Sequence, residues 1–184
     1  MNEGDTRALP DLLAPGLTAI FCGLNPGNRA AASGHHFEGR QNRFWPALHQ
    51  AGFTPRLLAP QEDRALLGCG YGLTTAVARP TASASELSRD EYTAAAQALE
   101  YKVATLHPRC IAFLGKAAYA AMSGRRQLEW GAQAGSFGGA RVWILPNPSG
   151  LNRGFSLNAL VAAYRELRLA LEQGEDRGGD QQRR

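Results

Sequence analysis

Twice along this chain an apolar run ends abruptly in Asn-Pro. Leu17-Thr18-Ala19-Ile20-Phe21-Cys22-Gly23-Leu24 meets Asn25-Pro26-Gly27, and Arg141-Val142-Trp143-Ile144-Leu145-Pro146 meets Asn147-Pro148-Ser149-Gly150. Proline cannot donate to a sheet ladder and glycine loosens the backbone, so each strand must stop there. Asparagine then brings a short polar amide to the tip. Taken alone, an Asn-Pro-Gly is a turn and no more. In an open α/β sheet, however, the ligand crevice lies beyond the carboxyl ends of the strands. A pair of such turns predicts a site assembled from distant parts of the chain.

The segments between the two turns alternate in type. Asn42 to Gly52 reads as a helix with Gly52 beyond its end. Pro60 to Leu67 reads as a short helix, and Gly70 to Val77 as a strand or extended segment. Ser88-Arg89-Asp90-Glu91 is a capping box that opens a helix to about Leu106, stopped by Pro108. Cys110 to Gly115 is continuously apolar, as a strand covered on both faces must be. Lys116 to Met122 reads as a helix, the glycine-rich stretch Gln127 to Ala140 as a hairpin or loop, and Arg141 to Leu145 as the last central strand. Leu157, Leu160, Val161, Tyr164, Leu167 and Leu171 recur at helical spacing in a closing helix, Ser156 to Leu171. Strands alternating with helices predict an α/β fold: a three-layer α/β/α sandwich with a mainly parallel central sheet. The expected domain spans residues 11–172, with flexible tails at 1–10 and 173–184, the latter lacking apolar residues to bury beyond Gly174.

A chain of 184 residues suits one domain. No apolar run approaches the ~20 residues of a membrane span, and the start, Met1-Asn2-Glu3-Gly4-Asp5, lacks the regions of a signal peptide. A cytoplasmic, or at least non-secreted, protein is expected. Cys22, Cys69 and Cys110 show no metal-binding spacing, and no metal or other cofactor is implied. Net charge is +4, and every basic residue except Lys102 and Lys116 is arginine. Arginine suits phosphate, yet genomic base composition enriches it equally well, so charge alone does not identify a nucleic-acid partner.

Gly23-Leu24-Asn25-Pro26-Gly27, Gly34-His35-His36-Phe37, Asn42-Arg43-Phe44-Trp45 and Asn147-Pro148-Ser149-Gly150-Leu151-Asn152-Arg153, in this order, resemble the mismatch-specific uracil-DNA glycosylase and thymine-DNA glycosylase family, within the uracil-DNA glycosylase superfamily. Leu114-Gly115-Lys116 and Ala163-Tyr164-Arg165-Glu166-Leu167 extend the resemblance over nearly the whole domain. It implies a monofunctional hydrolase of base excision repair. Such an enzyme cleaves the N-glycosidic bond of a flipped uracil, or of thymine or a modified cytosine, in mismatched double-stranded DNA. The chemistry requires extrusion of the nucleotide, because the bond is unreachable inside the stack.

By that resemblance Asn25 positions the attacking water, an amide being able to orient water but poor at taking its proton. Gly23, Leu24, Ala30, Phe37 and Asn147 contact the base, with Phe37 as the stacking ring. Gly150, Leu151 and Arg153 belong to the loop that fills the vacated space and contacts the orphan guanine. Without it, Phe37 reads as core packing and Leu151 as a hydrophobic staple before the Ser156 helix. Phe44 and Trp45 read as core. His35 and His36 resemble the thymine-cleaving branch, or are a solvated loop. Ala30 stands where uracil-restricted relatives carry serine, which leaves room for a methyl group; Thr75 and Asn152 replace lysine and serine. Asp90 is a candidate helper for Asn25 if the preceding segment, Thr74 to Thr81, lies toward the pocket, and otherwise only favourable charge in a first helical turn. Glu38, in the loop, is the second carboxylate candidate. No lysine is identifiable as a Schiff-base nucleophile. The alternative is a mismatch or abasic-site DNA-binding module with vestigial catalysis; the presence of both Asn25 and Phe37 favours the enzyme. A monomer is expected, one flipped base needing one pocket. A nucleotide-binding protein would need a phosphate loop that is missing here.

Overall fold

The computed structural model describes residues 8–80 and 86–179. Five strands form one sheet in the order β2-β1-β3-β5-β4. They are β1 (Ala19–Gly23), β2 (Tyr71–Thr75), β3 (Cys110–Leu114), β4 (Gly131–Phe137) and β5 (Ala140–Leu145). β2, β1, β3 and β5 run parallel; β4 turns back antiparallel to β5. All residues of β1 and β3 are buried, which is why both read as uninterrupted apolar runs.

Helices cover both faces. On one, α2 (Phe44–Gln50) and α6 (Leu157–Gly179) pack Phe44, Leu48, Leu160 and Tyr164 against Phe21 and Ala112. On the other, α4 (Arg89–Leu106) and α5 (Lys116–Ser123) pack Val103, Tyr119 and Met122 against Cys22, Ile111 and Phe113. The three-layer α/β/α sandwich is therefore observed. Arg165 and Arg168 of α6 donate to the carbonyls of Gln50 and Ala51, closing the end of α2 where carbonyls lack helical partners. Among the described residues no helix is long and apolar enough to cross a membrane.

The Ser88 capping box forms as expected: Ser88 Oγ accepts from Glu91 N, and Glu91 Oε2 accepts from Ser88 N. Four details differ from the sequence reading. The loop after Gly27 holds a short helix, α1 (Asn28–Ser33), because Asn-Arg-Ala-Ala-Ala-Ser favours helix until Gly34 ends it in the left-handed region. Pro60 to Leu67 divides into a 3-10 turn (Pro60–Glu62) and α3 (Ala65–Gly68). α6 continues to Gly179 instead of stopping at Leu171. Leu9, assigned to a tail, is buried. Residues 1–7 and 180–184 of the expected tails, and Thr81, lie outside the described residues.

Candidate active site

Because four strands run parallel, their carboxyl ends share one edge of the sheet, and the loops leaving them enclose a cleft of about 370 Å³. Gly23, Leu24 and Asn25 leave β1, Thr75 ends β2, Leu114 ends β3, and Asn147 follows β5; all line it. Leu9, Ala30, His36, Phe37, Glu38, Asn42, Ser149 and Leu151 complete the wall. A larger groove of about 900 Å³ between α4 and α5 contains none of the expected residues. Convergent polar groups beyond strand ends single out the first.

Asn25 is held by the strand beside it. Ala76 N and Val77 N donate to the carbonyls of Gly23 and Leu24 at 2.8 Å, extending the β1–β2 pairing into the turn. Asn25 Nδ2 donates to Arg79 O at 3.4 Å. Arg79 is itself tied to α4, its Nε 2.7 Å from Glu91 Oε1. That guanidinium holds the Glu91 carboxyl down to about 2.

Phe37 occupies left-handed backbone, φ 56°, although it carries a β-carbon. Its ring stacks on Phe44 at 3.9 Å between centroids. The preceding residue is pinned from three sides. His36 N donates to Asp63 Oδ2 at 3.2 Å, Trp45 Nε1 donates to His36 O at 3.2 Å, and His36 Nε2 lies 2.7 Å from Pro10 O. A carbonyl partner requires Nε2 to carry the proton. Burial depresses the His36 pKa, with the Pro10 carbonyl opposing. His35 Nδ1 sits 3.5 Å from Asp63 Oδ2. The ring of Phe37 is thus set by its neighbours rather than by its own backbone preference.

The second Asn-Pro turn is organised by an arginine. Arg43 Nη2 donates at 2.8 Å to the carbonyls of both Ser149 and Asn152, Nη1 to Phe155 O, and its backbone N to Pro148 O at 3.0 Å. Asn147 Oδ1 accepts from Ser149 N at 2.9 Å, and Asn152 Nδ2 donates to Asn147 O at 2.9 Å. A β-carbon on Gly150 would lie 2.4 Å from Gln41 Cβ and 2.9 Å from Gln41 O, so close packing inside the protein demands glycine here. A β-carbon on Gly115, at φ 113°, would lie 3.6 Å from Asn147 Cβ, so β3 ends hard against the same turn. From this braced loop Leu151 projects with 89% of its surface exposed. It is not buried as a helix-entry staple.

Gly23, Leu24, Asn25, Ala30, Phe37, Asn147 and Leu151 therefore meet in one cleft, and Gly150 lies beside it. Arg153 is on the same loop but exposed and outside the lining. Asp90 is exposed in the first turn of α4 and is not among the described residues that line the cleft. The capping box turns Glu91 back toward the Ser88 backbone, so α4 reaches Asn25 through Glu91 and Arg79. Phe44 and Trp45 are core, as expected. Leu9, Asp63 and Arg43 were missed as site-building residues. Of these, only Arg43 carried a sequence signal, standing between Asn42 and the apolar start of α2.

The chain matches a family model described as the uracil DNA glycosylase superfamily over residues 10–168. It is similar in structure to a Methanosarcina acetivorans protein, provisionally described as a uracil DNA glycosylase and solved by solution NMR. The TM-score is 0.55 at 18% identity, covering 89% of this chain and 98% of that one. At that identity the likeness concerns the fold.

Proposed function

The chain belongs to the uracil DNA glycosylase superfamily, and from that premise we propose that it hydrolyses the N-glycosidic bond of a flipped uracil in mismatched duplex DNA. The observation that carries this reading is that Asn25 and Phe37, from the first turn and its loop, line one cleft with Asn147 and Leu151, more than a hundred residues on.

In this mechanism Phe37 stacks on the extruded base, an interaction worth about 1–3 kcal/mol. Asn25 orients water toward the sugar carbon. Its amide cannot take the proton efficiently, so much of the barrier lowering falls to the pocket and to backbone N–H groups facing the departing base. Leu151 enters the gap in the stack as an apolar wedge, and Arg153 beside it meets the backbone or the orphan guanine. Ala30, small and buried at the cleft wall, leaves space at the base edge, which favours acceptance of thymine as well. One methyl group carries only ~1–3 kcal/mol of discrimination. The product is an abasic site, left uncut.

Single-turnover cleavage of G·U, A·U and single-stranded uracil, with Asn25→Ala alongside, tests the reading. Cleavage of G·U above the other two, lost in the variant, is expected. Duplex binding without cleavage would instead support a binding module, and equal cleavage of all three would remove orphan-guanine control.

A further inference from the structure

Glu38 is the one carboxylate among the described residues lining the cleft. It also borders the adjoining recess formed by Arg29, Arg40, Gln41 and Gly150. Its Oε2 is buried and has no hydrogen-bond partner among the described residues. Buried acceptors are otherwise paired in folded proteins, so this atom marks a position where a donor belongs.

The cleft offers few groups able to receive a proton. Asn25 can orient water, but an amide is a poor base. His36 is the other titratable residue in the lining, and its Nε2 is committed to Pro10 O. Resting on the glycosylase reading above, we infer that Glu38 is a catalytic residue that takes the proton of the attacking water. The sugar–base bond breaks with its electron pair going to the uracil ring. The water oxygen bonds the sugar carbon as its O–H proton passes to the Glu38 carboxylate. The protonated carboxyl then returns that proton to the uracil anion, so nothing is consumed but water. Among the described residues, the charged and titratable groups that share a lining with Glu38 are Arg29 of α1, Arg40 of its own loop and His36.

The test is the pH profile of single-turnover G·U cleavage for the wild-type chain, Glu38→Gln and Glu38→Asp, with duplex affinity and melting temperature measured in parallel. Glutamine keeps the shape and can still hold water, but it cannot take a proton. The expected result for Glu38→Gln is a rate loss of roughly 100-fold or more, the lower end for a general base. Affinity and melting temperature should be unchanged, and the acid limb of the profile should disappear; Glu38→Asp should keep that limb at reduced rate. A Glu38→Gln variant with wild-type rate, or with a lowered rate and a parallel profile, overturns the assignment alone. A wild-type chain that cleaves no uracil-containing DNA overturns the glycosylase reading and this role with it.

Discussion

A β-carbon in left-handed backbone costs on the order of 1–3 kcal/mol, and Phe37 bears that cost at the wall of the cleft. The anchors of His36 on Asp63 and Trp45 and the stack on Phe44 compensate it. Backbone strain and ring function are therefore separable. Phe37→Ala and Phe37→Gly should both lose the aromatic platform, reducing uracil cleavage by about 10- to 100-fold for a stacked base. Glycine alone relaxes the backbone, so Phe37→Gly should melt at or above Phe37→Ala. An alanine variant clearly more stable than the glycine variant would mean that φ is not under strain. The position of Phe37 was readable from its motif; its strain was not. One of the residues that anchor its neighbour His36, Asp63, lies in a segment whose pattern speaks only of a short helix.

At the scale of elements, the loop after β5 behaves as a unit because one guanidinium reaches four of its carbonyls. Arg43→Lys keeps the charge but loses the planar fork, leaving several acceptors short of donors. The variant should lose about 1–3 kcal/mol of stability. Hydrogen exchange should accelerate over residues 148–155, and duplex cleavage should fall more than cleavage of single-stranded uracil. Unchanged exchange in that loop would show that Asn147 and Ser149 brace it without Arg43. The position of Arg43 was visible in the sequence but its acceptors were not, since any residue supplies a carbonyl. β1 and β3 were legible for the opposite reason: burial on both faces writes a continuous apolar run, and β5 does so from Val142 on, after the exposed Arg141. β4 was not resolved beyond hairpin or loop, because its residues are small and mostly exposed and its strand form depends on pairing with β5. α1 escaped because a run of alanines between two glycines shows no apolar face.

For the molecule as a whole, two outcomes follow from groups at the cleft. His36 has its pKa lowered by burial, whereas in the unfolded chain it titrates near 6.5. Below that value the unfolded state binds a proton that the folded state refuses, so stability must fall as pH drops. Melting temperature against pH, compared with His36→Gln, checks this: the wild-type slope below 6.5 should be the steeper. Equal slopes would assign the acid sensitivity to other groups. Leu151 projects almost wholly into water in the free protein, so its contribution should appear only with duplex DNA. Leu151→Ala should leave folding stability within about 0.5 kcal/mol while lowering duplex cleavage more than single-strand cleavage. Equal losses on both substrates would remove the wedge.

The strand order also fixes a sequence of events in time. β1 precedes both of its neighbours, β2 and β3, in the chain, and β5 must still dock on β3 before Asn147 can share a cleft with Asn25. Parallel pairings of this kind close long loops and form slowly. A nascent chain stopped short of β5 therefore carries Asn25 on an unfinished sheet with no opposite wall. The cleft is complete only once β5, the last parallel strand of the chain, has joined β3.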